Sequence, residues 1–141
     1  MRLALIAVGK LRDAWVREGC DVYLTRLRPR LRTEVIEVKD GADLLRAVPP
    51  RFRVWALDEH GVEVTSVELS QRLQRERVSG APGLALLIGA ADGLPKDTLA
   101  SADLRLSLSR LTLPHRLVRV VALEQIYRAL SIIHDEPYHR E

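Results

Sequence analysis

Apolar side chains recur along the chain in short blocks that predict strands and helices in turn. Short apolar runs bounded by glycine, proline or polar residues predict strands at Leu3–Val8, Thr33–Val38, Arg53–Leu57, Leu84–Ile88 and Leu104–Leu108. Between them, apolar residues at helical spacing predict helices at about 13–27, 42–48, 65–78, 96–101 and 116–134. Such alternation is typical of an α/β fold, with a parallel sheet covered by helices on both faces. We predict a single domain over residues 1–141.

Several element boundaries carry their own chemical signals. Thr65 with Glu68 three residues later matches a capping box, which predicts that a helix begins there. Pro29 ends the first predicted helix, Gly61 predicts a turn after the third strand, and Pro95 suits the first turn of a helix. The tail that follows the last helix has no such pattern, so its composition alone predicts disorder.

Composition narrows the class of protein. Cys20 is the only cysteine among the 141 residues, so no internal disulfide can form, and a cytosolic location is expected. No apolar run approaches the roughly 18 residues of a membrane span, so no membrane partner is expected.

The net charge is +3, and 19 of the 22 cationic residues are arginine. The cluster Arg26–Arg32 is either a phosphate-binding edge or a solvated loop.

The strand order along the chain indicates where a ligand would bind. Ligands of parallel α/β sheets bind at the carboxyl ends of the strands, which directs attention to Gly9-Lys10, Leu57-Asp58, Gly89–Gly93 and Ser109–His115. The glycine loop lacks both the dinucleotide and the P-loop spacing, so it is either a nucleoside-binding loop or an ordinary turn. The second loop is unusually apolar, and a ligand, a second subunit or the chain itself must cover it.

The last helix and the tail supply further candidates. The helix is apolar around much of its circumference, which indicates a subunit interface, and Glu124 stands four residues before Arg128, where the two side chains can form an ion pair. The tail places a phenol, an imidazole and a guanidinium side by side. The four histidines lack metal-ligand spacing, so no metal site is predicted.

Four segments in the C-terminal half stand in a characteristic order. They are Ile88-Gly89, Leu108-Ser109-Arg110-Leu111-Thr112-Leu113-Pro114-His115, Glu124-Gln125-Ile126-Tyr127-Arg128-Ala129 and Pro137-Tyr138-His139-Arg140. As an ordered set they resemble the RlmH (YbeA) family of SPOUT-class methyltransferases. Leu5–Lys10 and Leu57-Asp58 are similar to the N-terminal half of that family, so the resemblance covers essentially the whole chain.

The resemblance implies a fold, an activity and a set of site residues. It implies a trefoil knot in the C-terminal half, a homodimer, and S-adenosylmethionine as methyl donor without a metal. The implied substrate is a pseudouridine of 23S rRNA in the assembled ribosome, methylated at N3, and no DNA partner is implied. The implied cofactor-binding residues are Leu57, Gly89, Leu108, Ser109, Arg110, Leu111, Thr112 and Leu113. The implied catalytic residues are Tyr138, His139 and Arg140.

The chain also departs from the pattern of the family it resembles. Ala90 stands where the family usually has a second glycine, which puts an extra methyl group beside the cofactor. Two other readings remain open: a ribosome-binding or RNA-binding module that keeps the fold without catalysis, and a flavodoxin-like nucleotide-binding domain. Against the second, no acidic cluster gathers at the early strand ends to hold Mg²⁺.

Overall fold

The computed structural model describes residues 1–139, and the predicted catalytic residue Arg140 lies outside the described part. Five strands alternate with five α-helices, as the hydrophobic pattern predicts. The elements are β1 (Arg2–Val8), α1 (Ala14–Leu27), β2 (Arg32–Val38), α2 (Leu44–Ala47), β3 (Arg53–Glu63), α3 (Ser66–Val78), β4 (Gly83–Ile88), α4 (Lys96–Ser101), β5 (Leu104–Ser107) and α5 (His115–Ile133). Single turns of 3-10 helix lie at Gly41–Asp43 and Pro137–His139.

The five strands form one sheet in the order β2-β1-β4-β3-β5, and every neighbouring pair is parallel. Strand β1 lies inside the sheet, where Ile6 pairs with Ile36 of β2 and with Leu87 of β4. Because all the strands run in one direction, their carboxyl ends meet at one edge of the sheet. This confirms the predicted α/β class and defines the edge at which a ligand would bind.

Alternation along the strands divides the core between two faces. Side chains such as Leu3 and Leu5 pack into a large cluster with α1, α3 and α5, whereas Ala4 and Ile6 pack on the opposite face with Leu44 of α2. All six residues of β4 are buried, as expected for a strand that is covered on both faces. Burying one leucine side chain contributes about 1.5–3 kcal/mol, so the leucines of β1 and β4 are major determinants of stability. None of the described helices is long and apolar enough to cross a membrane.

Strand β3 extends further than predicted, and the turn predicted at Gly61 is wrong. Both Leu57 and Val62 pair with Leu106 of β5, so the four residues between them form a bulge and the strand then resumes. A Cβ atom on Gly61 would lie 2.6 Å from the backbone carbonyl of Arg105. Glycine therefore serves here for close approach between two strands, a role that a turn signal does not reveal.

The capping box is confirmed. The Thr65 hydroxyl accepts a hydrogen bond from the Glu68 amide at 3.1 Å, and the Glu68 carboxylate accepts one from the Thr65 amide at 3.0 Å. The hydrogen bond from the Thr65 amide, with a smaller contribution from the Thr65 side chain, holds the pKa of Glu68 below its usual value. The helix therefore begins where the sequence predicts, directly after the bulged strand β3 and above the edge of the sheet that carries the strand ends.

Candidate cofactor-binding site

A cavity of about 550 Å³ lies at the carboxyl edge of the sheet. It is bounded by the ends of β3, β4 and β5, the loops that follow them, and the first turns of α5. Its volume falls within the roughly 300–1,000 Å³ of small-molecule sites. The lining residues are Leu57, Asp58, Glu59, Ile88, Gly89, Ala90, Ala91, Asp92, Gly93, Leu94, Leu106, Leu108, Ser109, Leu111, Thr112, Leu113, Pro114, His115 and Val118.

The floor of the cavity is a tight turn that only glycine permits. Gly89 is buried, and a Cβ atom there would lie 2.5 Å from the Gly93 carbonyl oxygen and 2.6 Å from its carbon. Gly93 has a positive φ of 88°, and its amide donates to the Ala90 carbonyl at 2.9 Å. The loop therefore folds back onto Gly89, which leaves backbone rather than side chain facing the cavity.

The walls combine an apolar side with an acidic side. Leu57, Leu106 and Leu108 belong to or pack against the core cluster beneath the cavity. Asp58, Glu59 and Asp92 stand on the rim. An apolar slot accommodates an aromatic ring, while carboxylates can accept hydrogen bonds from hydroxyl groups or pair with an ammonium group. The arrangement suits an amphipathic, positively charged nucleoside. Within residues 1–139, no group of His, Cys, Asp or Glu is placed to hold a metal ion.

The structure brings together seven of the eight residues predicted to bind the cofactor. Arg110 is the exception, because its side chain is exposed and lies 3.8 Å from the Glu63 carboxylate instead of lining the cavity. The Ser107 hydroxyl donates to the Ser109 carbonyl at 3.0 Å, and the Ser109 hydroxyl accepts from the Leu111 amide at 2.9 Å. These short-range bonds curl the loop that lines the cavity.

Glu59, Leu106 and Val118 are cavity residues that sequence reasoning missed. Glu59 lies beyond the predicted strand end at Leu57-Asp58, Leu106 looks like an ordinary core position, and Val118 belongs to a helix with apolar residues on most sides. The rule that ligands bind at strand ends directs attention to loops, so it misses the helix that closes the site. The pattern that could have indicated Val118 is its position one turn after His115, because the first turn of a helix shares its surroundings with the loop before it.

The tail packs against α5 and is ordered up to His139, in contrast to the disorder that composition alone predicts. The Tyr138 hydroxyl donates to the Glu124 carboxylate at 3.2 Å, and the Tyr138 ring meets the Tyr127 ring edge-on at 4.7 Å between centroids. The Arg128 guanidinium lies 5.0 Å from the Tyr138 ring centroid and is also within 2.7 Å of Glu124. This confirms the predicted pair between Glu124 and Arg128. We call Tyr23, Glu124, Tyr127, Arg128 and Tyr138 the tail cluster.

The tail cluster keeps the phenol of Tyr138 neutral. Burial raises the pKa of Tyr138, and the nearby Tyr23 hydroxyl and the negative charge of Glu124 raise it further. A neutral phenol donates a hydrogen bond and does not act as a base near pH 7. The neighbouring His139 differs, because its Nδ1 is buried and has no hydrogen-bond partner among residues 1–139.

The tail cluster and the cavity occupy different positions along α5. The cavity reaches Val118, whereas the contact of Tyr138 nearest to it is Glu124, six residues further on. At roughly 1.5 Å per residue this is about 9 Å along the helix axis. Neither Tyr138 nor His139 lines the cavity. Within residues 1–139, a single chain therefore does not bring Tyr138 and His139 into one site with the predicted cofactor-binding residues.

Comparison with known proteins connects this geometry to a family. A family model described as "Predicted SPOUT methyltransferase" matches residues 1–139. The chain belongs to the SPOUT methyltransferase family. A trefoil knot in the C-terminal half is a property of SPOUT proteins and is implied here by membership. The residues that line the cavity belong to that half, apart from Leu57, Asp58 and Glu59.

Relatives of this SPOUT chain match it over its whole length. It is 44% identical to the ribosomal RNA large subunit methyltransferase H of Anaeromyxobacter dehalogenans (strain 2CP-1 / ATCC BAA-258), covering 99% of this chain and 100% of the relative. It is 42% identical to the protein of the same name from Dechloromonas aromatica (strain RCB), covering 100% and 99%. The structure of a probable methylase family protein from Haemophilus influenzae Rd KW20 superimposes with a TM-score of 0.63 at 8% identity. That likeness covers 99% of this chain and 70% of the other, and it concerns the fold alone.

Proposed function

We propose that this protein is an S-adenosylmethionine-dependent methyltransferase of the large ribosomal subunit that methylates N3 of a pseudouridine in 23S rRNA. The observation that carries the proposal is the cavity at the carboxyl edge of the sheet, formed by the segments that resemble the RlmH family. Full-length relatives named ribosomal RNA large subunit methyltransferase H support the ribosomal substrate. Such an enzyme would meet assembled ribosomes in the cytoplasm.

The residues present fit the methyl donor. S-adenosylmethionine, when bound, supplies an electrophilic methyl group on a positively charged sulfur. The slot beside Leu57 and Leu108 can bury an adenine ring, and the backbone of the Gly89–Gly93 turn offers amides and carbonyls without side chains in the way. The carboxylates on the rim complement the positive charge. A ligand of this size and polarity matches the volume of the cavity.

Methyl transfer to N3 also requires a group that accepts the N3 proton and a group that stabilises the negative charge developing on the base. N3 of pseudouridine is flanked by two carbonyl groups, so its proton is weakly acidic and must leave when the methyl group is accepted. His139 is the candidate for that proton, because a neutral imidazole can accept a proton and its Nδ1 has no hydrogen-bond partner among residues 1–139. Arg140 is proposed to stabilise the developing negative charge or the flanking phosphate. Tyr138, with its pKa raised, is proposed to hold the tail and to donate hydrogen bonds.

A homodimer would bring these two sets of residues together. The tail cluster of one chain lies beyond its own cavity along α5, so we propose that the tail of one subunit completes the cavity of the other. An exposed apolar stripe on α1 supports a second copy as the covering partner. Trp15 is 61% exposed and Val22 is 45% exposed, and seven residues of separation place both on one side of the helix. Sedimentation that shows only monomer at micromolar concentration would contradict this.

The experiment that tests the activity is transfer of labelled methyl from S-adenosylmethionine to ribosomes that lack the modification. Separated subunits and naked rRNA serve as parallel substrates. We expect label in the large-subunit rRNA of intact ribosomes, mapped to a single pseudouridine. Absence of label on every substrate, with weak donor binding, would favour a non-catalytic ribosome-binding module instead.

A truncation separates the roles of cavity and tail. Removing residues 138–141 should abolish methyl transfer, because the proposed proton acceptor and anion-stabilising group are lost. Donor binding measured by calorimetry should survive within a few fold, because neither Tyr138 nor His139 lines the cavity. Full activity in the truncated protein would overturn the assignment of the tail.

A further inference from the structure

The loop between β1 and α1, residues Gly9–Asp13, stands beside the cavity without lining it. Ala7 of β1 pairs with Ile88 of β4, so the loop leaves the sheet next to the glycine turn that forms the cavity floor. At its other end, the Asp13 carboxylate lies 3.1 Å from Nε of Arg116 in the first turn of α5. The loop is therefore held between two elements that form the cavity.

The backbone of this loop is fixed by side chains from three directions. A guanidinium NH₂ group of Arg119 donates to the Gly9 carbonyl at 2.7 Å. The Leu11 amide donates to the Glu37 carboxylate at 2.8 Å, and the Leu11 carbonyl accepts from Arg17 at 2.7 Å. The conformation of the loop is thus set by the protein before any ligand arrives.

An ion pair between the buried Arg119 and the partly exposed Glu37 supports this arrangement. The Arg119 side chain is only 4% exposed, and its guanidinium lies 2.5 Å from the Glu37 carboxylate. Burial alone would raise the pKa of Glu37, but the hydrogen bonds from Arg119 and the Leu11 amide hold it below its usual value. Arg119 loses its hydration in this position, which offsets part of the attraction between the two charges. The main effect of the pair is therefore to hold the loop in a single geometry.

The loop so fixed presents two cations. Lys10 and Arg12 are exposed on either side of Leu11, which packs against the core. Within residues 1–139, neither cation forms an ion pair, whereas the nearby Arg116 is paired with Asp13. The rim of the cavity itself carries the acidic residues Asp58 and Asp92. A polyanion would therefore approach the cavity from the side of the loop.

We propose that Lys10 and Arg12 contact backbone phosphates of the rRNA that flank the target nucleotide. The inference rests on the proposed function and adds the surface that positions the substrate. Phosphate contacts set the register of a nucleic acid without reading its sequence. Fixing the loop in advance lowers the entropy lost when RNA binds.

The test compares two double variants of the full-length protein. Lys10→Ala with Arg12→Ala removes both loop cations. The control is Arg75→Ala with Arg77→Ala, because these residues lie in the last turn of α3, at the end of the sheet remote from the cavity. Each double variant loses two positive charges, so an effect that depends only on net charge should change ribosome binding equally in both. Co-sedimentation with ribosomes and methyl transfer are measured across a series of KCl concentrations.

For the loop variant we expect ribosome affinity and kcat/KM to fall about 10- to 100-fold at physiological salt. The slope of log affinity against log salt should become shallower by about 1.4–1.8, since each phosphate contact contributes about 0.7–0.9. Donor affinity and sedimentation as a dimer should stay at wild-type values. The control variant should keep the wild-type slope and lose less than about threefold in affinity, as expected for nonspecific loss of charge.

Three results would overturn the inference. Equal losses in both variants would mean that only net charge matters. An unchanged salt slope would mean that the loop makes no phosphate contact. Dissociation of the loop variant into monomers would assign the two cations to the partner subunit instead. A further outcome is that the wild type binds ribosomes and the loop variant shows the predicted change in salt slope, while no methyl group is transferred. In that case the proposed reaction fails and the assignment of the phosphate-binding loop stands.

Discussion

Replacing Gly89 with alanine should damage the cavity directly. The added Cβ atom would lie 2.5 Å from the Gly93 carbonyl oxygen, whereas ordinary contact is 3.4–4 Å. The turn must therefore move by roughly 1 Å, since the clashing atoms are backbone and cannot rotate away. Overpacking of this kind costs about 1–3 kcal/mol. Because the turn forms the cavity floor, we expect the donor dissociation constant to rise about 5- to 150-fold.

Gly83→Ala is the matched control, since Gly83 begins the same strand at the edge of the sheet remote from the cavity. A Cβ atom there would lie 2.3 Å from the Phe52 ring, so this variant should lose comparable stability. Calorimetry with S-adenosylmethionine and denaturant unfolding are performed on both variants. Gly83→Ala should bind the donor within about twofold of wild type. Wild-type donor binding by Gly89→Ala, or equal loss in the two variants, would refute the assignment of the turn to the donor site.

Three further predictions concern charge and stability. Tyr138 should stay protonated above pH 10, where a free phenol ionises. Its contribution to tail docking is therefore present below pH 10 and is lost as pH rises through the raised pKa. Ultraviolet titration of the wild type and of Tyr138→Phe should show the same amount of tyrosinate near pH 10 to 11. Glu37 has a lowered pKa, so its contribution to stability is present above its unfolded pKa and is lost as pH falls through the lowered pKa; the stability difference between wild type and Glu37→Gln should shrink in acid unfolding curves. Thr65→Ala should lower the free energy of unfolding by about 1 kcal/mol, while a loss of donor affinity in this variant would contradict a purely structural cap.

The sequence predicts the elements well where local physics determines them. Apolar blocks that are bounded by turn residues identify all five strands, and the capping box at Thr65 locates the start of α3 to within one residue. The position of the cavity also follows from the sequence, because alternation of strands and helices implies a parallel sheet and therefore a ligand edge. Leu57 and Gly89 were accessible to prediction for that reason.

Features set by packing between distant segments were not accessible. The order of the strands in the sheet depends on which strand edges pair with each other. The hydrophobic pattern of β1 is compatible with pairing to any of several other strands. Arg119 belongs to an apolar helix and would be expected to extend into solvent, yet it is buried because Glu37 and the Gly9 carbonyl after β1 accept hydrogen bonds from its two terminal nitrogens. Tyr138 is ordered for a similar reason, since Tyr127 and Glu124 lie where its ring can dock.

The position of β1 inside the sheet has a consequence for biosynthesis. Arg2 pairs with Arg32 on one side and with Gly83 on the other, so a nascent chain can satisfy one edge of this strand early and the other only after β4 has been translated. At roughly 5–20 residues per second, the open edge persists for seconds. An unpaired apolar edge invites association with other chains. We expect polypeptides that stop before β4 to be taken up by chaperones or to aggregate instead of forming a smaller stable domain.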